Sequence, residues 1–316
     1  MRQKNLARQE QNDSKTMKFT KPSYLKKDDT IMIVAPAGFV MDSTELDPGI
    51  ALAKSWGLEV VLGKHVLNRY NHFAGTDEER LGDMQLALDN KNIKAIWCSR
   101  GGYGTVRIID QIDFTAFEKN PKWVIGYSDI TTLHNHIHNL GIATIHATMP
   151  GGIHSATDEA KQTLYKALFG YDYDFEIPSN SLNKKGNAKG VLIGGNLSII
   201  NSMMGSVTEI NTDGKILFIE DVGEDLYRVD RMMYTLKRSG LLKNLKGLIV
   251  GDFSYDIEKD TLFGGTHREI ILNAVKEYNY PVIFDFPAGH VKDNRTLIFG
   301  KEIKIEVNDL LSKVSY

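Results

Sequence analysis

A short apolar run at residues 123–125 leads into Gly126-Tyr127-Ser128-Asp129, and a helical pattern begins immediately afterwards. A serine on a sharp strand-to-helix turn presents its hydroxyl, and the free N–H groups at the start of the following helix can stabilise negative charge. That is the chemistry of a nucleophilic serine. Ile130 stands where the second glycine of Gly-x-Ser-x-Gly would be, which argues against a standard α/β-hydrolase. Taken alone, a Ser-Asp pair opening a helix is more often an N-cap than a nucleophile, so other segments must decide.

Arg100-Gly101-Gly102-Tyr103-Gly104 follows a strand-like stretch and precedes a helix-like one. Its glycines allow the backbone to approach a ligand closely. Neither a Gly-x-Gly-x-x-Gly nor a Gly-Lys-Ser/Thr arrangement is present, so it is not a phosphate cradle. Its backbone could instead supply one oxyanion donor, with the Asp129 N–H as the second; a plain tight turn is the alternative.

Two further segments offer titratable groups at strand ends. Residues 215–219 run into Glu220-Asp221, followed by Glu224, Asp225, Tyr227, Arg228, Asp230 and Arg231. Charge runs are usually solvated faces, but a carboxylate directly after a strand sits at a site-forming edge. Near the end, Phe286-Pro287-Ala288-Gly289-His290 follows another strand-like segment. Pro287 and Gly289 set an unusual loop path, and His290 at its tip is placed for proton transfer.

Two decoys point elsewhere. His134 and His138 share a helix face at the spacing zinc ligands can use, but Asn135 and Ile137 intervene and no acidic residue completes a motif. Packed or surface histidines are the expectation, with no metal. Cys98 is the single cysteine, which rules out an internal disulfide and any multi-cysteine zinc site; it reads as a buried, inert thiol in a protein of a reducing compartment.

The elements that would position these residues alternate. Strand-like runs at 30–36, 58–62, 95–98 and 123–125 are separated by helical patterns at 46–56, 80–88 and 105–112, and another helix follows at 130–140. Such alternation implies parallel strands with helical crossovers, whose binding sites gather beyond the carboxyl ends of the strands. The loops at 99–104 and 126–129 occupy such ends. Residues 171–190, rich in Asn, Ser, Lys and Gly, break the pattern and read as an interdomain connection. Beyond them, strand-like runs at 191–193, 215–219, 248–250, 282–284 and 303–307, with a helix at 228–239, suggest a smaller second α/β domain at 191–316. The expected organisation is an extension at 1–18, an N-terminal α/β domain with a parallel sheet at 19–170, the connection, and the C-terminal domain, with the site between the two.

The chain's 316 residues are 42% hydrophobic, enough for a substantial core, and its 38 Lys and Arg nearly balance 40 Asp and Glu. A net charge of -2 supplies no field for nucleic acid or an anionic membrane. No run approaches the roughly 18 apolar residues of a membrane span, and residues 1–18 lack the apolar core of a secretory signal. The expected partner is a small molecule, and the expected location the cytoplasm.

Taken together, these segments resemble the L,D-carboxypeptidase family, which includes murein tetrapeptide carboxypeptidases and the self-immunity peptidase against microcin C. The resemblance runs from about residue 19 to about 307. It is carried by Ile33-Val34-Ala35-Pro36-Ala37, residues 100–104 and 126–129, Gly194-Gly195-Asn196-Leu197, residues 218–221 with Asp230-Arg231, and residues 287–290. It implies a serine carboxypeptidase with a triad of Ser128, Glu220 and His290, and an oxyanion hole from the Gly102 and Asp129 amides. It further implies a cleft between two domains, a homodimer, no metal or cofactor, and release of a C-terminal D-amino acid from murein tetrapeptide in peptidoglycan recycling. Asn196 looks like a cleft-lining residue, and Arg100 and Arg228 are cations available for the substrate's carboxylate.

Two rivals are weighed against this reading. An immunity peptidase cleaving a peptide-nucleotide antibiotic would need an aromatic platform for a base, and residues 171–190 offer Tyr171 and Tyr173 but no tryptophan. A binding module with the fold but no catalysis would keep its ligand affinity in Ser128→Ala and have no turnover to lose.

Overall fold

The computed structural model describes residues 19–254 and 263–316, and the extension expected at 1–18 lies outside them. Among the described residues, thirteen strands, in chain order, build two sheets. They are β1 (Thr30–Val34), β2 (Glu59–Leu62), β3 (Ile93–Cys98), β4 (Trp123–Gly126), β5 (Thr144–His146), β6 (Asp174–Pro178), β7 (Gly186–Asn196), β8 (Ile216–Val222), β9 (Gly247–Ser254), β10 (Val282–Ile283), β11 (Leu297–Phe299), β12 (Glu302–Val307) and β13 (Leu311–Ser315).

The first sheet has the order β11-β5-β4-β3-β1-β2. β1 to β5 are parallel, and β11 adds antiparallel to β5. β1, β3 and β4 are almost wholly buried apolar runs, as expected of strands covered by helices on both faces. The second sheet, in the order β10-β9-β8-β7-β12-β13-β6, has parallel β7 to β10 and antiparallel β12, β13 and β6. In β12 and β13 buried and less buried residues alternate, the pattern of a one-sided antiparallel sheet.

Residues 171–190 are more than a connection. They carry β6, anchored by buried Phe175, and β7 begins at Gly186 rather than at residue 191. The alternation Asp-Phe-Glu-Ile-Pro is too short to stand out from its polar surroundings.

The second half of the chain also crosses into the first sheet. After β10 the chain passes through residues 284–296 and joins β5 as β11, with Ile298 opposite Ile145. One apolar core is continuous across both sheets, including Ile31, Ile125 and Ile145 from one and Phe218, Ile249 and Ile305 from the other. The loop carrying His290 is thus strung between the sheets, held at both ends by strand pairing.

Candidate active site

Ser128 follows β4 directly, in the left-handed region with φ 64°. For a residue with a Cβ this conformation costs about 1–3 kcal/mol, and it persists only where packing over-determines it. The packing is visible. A Cβ on Gly126 would stand 2.8 Å from Ile130 Cγ1, so Ile130 fills the space that the glycine leaves bare. The departure from Gly-x-Ser-x-Gly therefore keeps a tight elbow by another packing. Ser128 is no side-chain cap: neither the short 3-10 turn Ser128–Ile130 nor the helix Thr131–Asn139 has a side-chain hydrogen bond at its N-cap.

The Ser128 hydroxyl instead meets His290, with Nε2 3.1 Å from Oγ. His290 Nδ1 lies 2.7 Å from Glu220 Oε2. A carboxylate accepts and does not donate, so the proton on this side belongs to Nδ1, leaving Nε2 to accept from the serine. Glu220 is completely buried near the carboxyl end of β8, while His290 and Ser128 are partly exposed. Gly289, at φ 122°, lets the loop lie over the carboxylate: a Cβ there would be 3.1 Å from Glu220 Oε2. The loop is clipped to β9 by Phe286 N–H to Val250 O and Asp252 N–H to Ala288 O, and closed by Gly289 N–H to Asn294 Oδ1 at 2.9 Å.

Burial works to lower the His290 pKa, but the hydrogen bond and charge of Glu220, with Asp221 and Asp252, outweigh it and raise the pKa above the ordinary value of 6.5. Asp221 is pushed up to about 7 by burial, and the charges of Glu220 and Glu224 add to this. Tyr127 stands edge-on to His290 with ring centroids 5.0 Å apart, and burial first, then Glu220, raise its hydroxyl to about 12.

The glycine loop closes the site from the other side. A Cβ on Gly101 would sit 2.7 Å from Ser128 Cβ and 3.5 Å from the Asp129 nitrogen, so only glycine lets the loop touch the nucleophile. Gly38 N–H donates to Gly101 O at 3.1 Å. Among the described residues, neither the Gly102 nor the Asp129 amide donates to another protein group, which leaves both free for an oxyanion.

The other expected site residues are placed differently. Asn196 is buried with both ends of its amide engaged: Nδ2 donates to Asp221 Oδ1 at 3.1 Å, while Oδ1 accepts from Ile199 N and Ser198 Oγ. It caps the helix Leu197–Ser202 instead of lining an open cleft, and its N–H reaches Thr131 Oγ1 at 3.0 Å, joining β7 to the helix behind the nucleophile. Arg100 Nη1 donates to Phe39 O at 3.0 Å, and its charge is felt by Tyr127. Arg228 is half exposed and pairs with Glu224 and Asp225 on its own turn.

His134 and His138 both face inward. His134 Nε2 meets Gly126 O at 2.9 Å, His138 packs on Phe19, and burial lowers their pKa values to about 4 and about 3. Among the described residues, no group of three or more His, Cys, Asp or Glu is placed to hold a metal ion. Cys98 is fully buried, and burial pushes its thiol far up. Sequence reasoning missed Tyr127, Asp252 and Asn294 around His290; each is an ordinary residue type whose part comes only from tertiary contact.

The chain matches two sequence profiles: the LD-carboxypeptidase N-terminal domain over residues 31–147 and the LD-carboxypeptidase C-terminal domain over residues 189–305. It is 37% identical over 287 residues to a protein of Bacillus subtilis (strain 168) named "Probable murein peptide carboxypeptidase", covering 89% of each chain. It is 31% identical over 296 residues to the murein tetrapeptide carboxypeptidase of Pseudomonas aeruginosa, covering 90% of this chain and 95% of that one. Among solved structures, the muramoyltetrapeptide carboxypeptidase from Oxalobacter formigenes superposes with a TM-score of 0.82 at 30% identity, covering 90% and 98% of the two chains. The wild-type microcin C7 self immunity protein superposes with a TM-score of 0.82 over 93% and 98%, but at 21% identity shares the fold alone.

Proposed function

We propose, from the premise that this chain belongs to the LD-carboxypeptidase family, that it is a serine peptidase removing the C-terminal D-alanine of murein tetrapeptide. The observation that carries this reading is the hydrogen-bonded row from Ser128 through His290 to buried Glu220, at 3.1 and 2.7 Å.

In this mechanism Ser128 Oγ attacks the carbonyl carbon of the L,D amide as its proton passes to His290 Nε2. The carbonyl oxygen, now negative, is held by the Gly102 and Asp129 amides. His290 returns its proton to the departing D-amino acid nitrogen, the C–N bond breaks, and the acyl group stays on Ser128. Water, deprotonated by His290, then releases the shortened peptide. Glu220 holds the imidazole tautomer and stabilises the imidazolium.

We assign the terminal carboxylate to Arg100, which lies in the same loop as Gly102, in preference to Arg228, whose charge is shared with Glu224 and Asp225. The murein reading stands above an immunity peptidase because the relatives at 31% identity or more named above carry murein peptide names. We further propose a cytoplasmic homodimer acting in peptidoglycan recycling. Incubation with purified murein tetrapeptide, followed by mass spectrometry, tests the function: loss of one alanine residue is expected, and an unaltered tetrapeptide contradicts it.

A further inference from the structure

The two proposed oxyanion donors sit on different segments, and the Asp129 side chain joins these segments. Asp129 supplies one donor from its main chain. Its carboxylate, almost fully buried, reaches across to the glycine loop, where Oδ2 accepts the Thr105 N–H at 2.9 Å. The opposite end of that same peptide unit, the Gly104 carbonyl, accepts from Arg80 Nη1 at 2.9 Å, and Nη1 also reaches Pro36 O at 2.5 Å. A single peptide group is therefore gripped at its C=O by a buried guanidinium and at its N–H by a buried carboxylate, with its dipole aligned to both charges.

The chain around this peptide is shaped for the grip. Gly104 has φ 141°, and a Cβ there would stand 2.8 Å from Arg80 Nη1 and 2.9 Å from Phe73 Cδ1, so no other residue fits. Gly104 is also the N-cap of the helix Thr105–Ile108 and has no side chain to cap it; Asp129 does so from the neighbouring segment. Arg80 is itself held by Asp77, which also pairs with Arg107 beyond the loop. Burial raises the Asp129 pKa, while the Thr105 and Gly104 amides and the charge of Arg80 act to keep it ionised.

We infer that the Asp129 carboxylate is a positioning group, which with Arg80 clamps the Gly104–Thr105 peptide and so sets the distance between the Gly102 and Asp129 amides. This rests on the serine-peptidase reading and adds how its oxyanion hole is kept in shape. Losing the clamp leaves the Asp129 amide in place but frees the loop that brings Gly102. The cost then falls on the transition state, where charge appears on the oxygen, and not on ground-state peptide binding.

The test compares two ligands in the full chain. An aldehyde analogue of the tripeptide product captures Ser128 Oγ as a hemiacetal whose oxygen lies in the hole, whereas the tripeptide itself makes no such bond. Asp129→Ala is expected to lower kcat about 10²-fold, the scale of losing one oxyanion donor, and to weaken the aldehyde by a similar factor. KM and tripeptide affinity should stay within about threefold, too small a change to carry that loss. Asp129→Asn keeps an oxygen for the Thr105 N–H and should recover most of the activity. If the alanine variant does not fold, Asp129→Ser, polar but too short to reach, takes the same comparison. Unchanged kcat, or equal weakening of aldehyde and tripeptide, would overturn the clamp. A wild-type protein that leaves tetrapeptide intact would instead count against the function it serves.

Discussion

His290 Nδ1 lies 2.7 Å from a Glu220 oxygen that has no contact with solvent. Because Glu220 is on β8 and Ser128 follows β4, the imidazole spans the two sheets, while the carboxylates that raise its pKa, Glu220, Asp221 and Asp252, all lie on the second.

The raised pKa of His290 gives the pH dependence its sign. The neutral imidazole is the base, so kcat/KM should fall as pH drops through a value above 6.5, not below it. Glu220→Gln removes the charge that does most to raise this pKa and should move that limb to lower pH while reducing kcat, by less than loss of Ser128 does. A limb that stays in place in the variant would shift the role to Asp221 or Glu224.

Gly101 is a steric prediction. A Cβ would stand 2.7 Å from that of Ser128, so Gly101→Ala should push the loop from the nucleophile and lower kcat by about 10²-fold or more. Wild-type kcat in this variant would show that the loop does not contact the working serine.

Chelation provides a separate check. Treatment with EDTA should leave peptidase activity unchanged, since the proposed steps use only side chains and amides. Activity lost to EDTA and restored by zinc would bring His134 and His138 back into consideration.

A fragment of residues 1–170 carries Ser128 but lacks Glu220 and His290, and it also lacks β11, leaving β5 as an unpaired edge. It should hydrolyse no tetrapeptide in the mass-spectrometric assay. Measurable turnover by it would refute a site shared between the sheets.

These residues differ in how legible they were. Ser128, Glu220 and His290 stood out because each stands at or beyond the carboxyl end of an apolar run, where a polar group must serve something. The alternation of strands and helices likewise announced the first sheet. β11 did not: Leu-Ile-Phe is three residues long and pairs with a strand some 150 residues earlier, a long-range event no local pattern encodes. Asn196, expected to line the cleft, has its side chain taken up instead by Asp221 and the Ile199 amide, contacts that no local pattern encodes. Arg80 read only as the start of a helical pattern, and only the fold turns it under Gly104.

The most direct measurement of the central claim is kcat for tetrapeptide in Ser128→Ala, His290→Ala and the double variant. Members of a triad act as a unit, so each single change should cost about 10⁴-fold or more and the double variant little beyond either. Losses that multiply, each change costing the same factor whether or not the other is present, would contradict a site in which His290 works through Ser128.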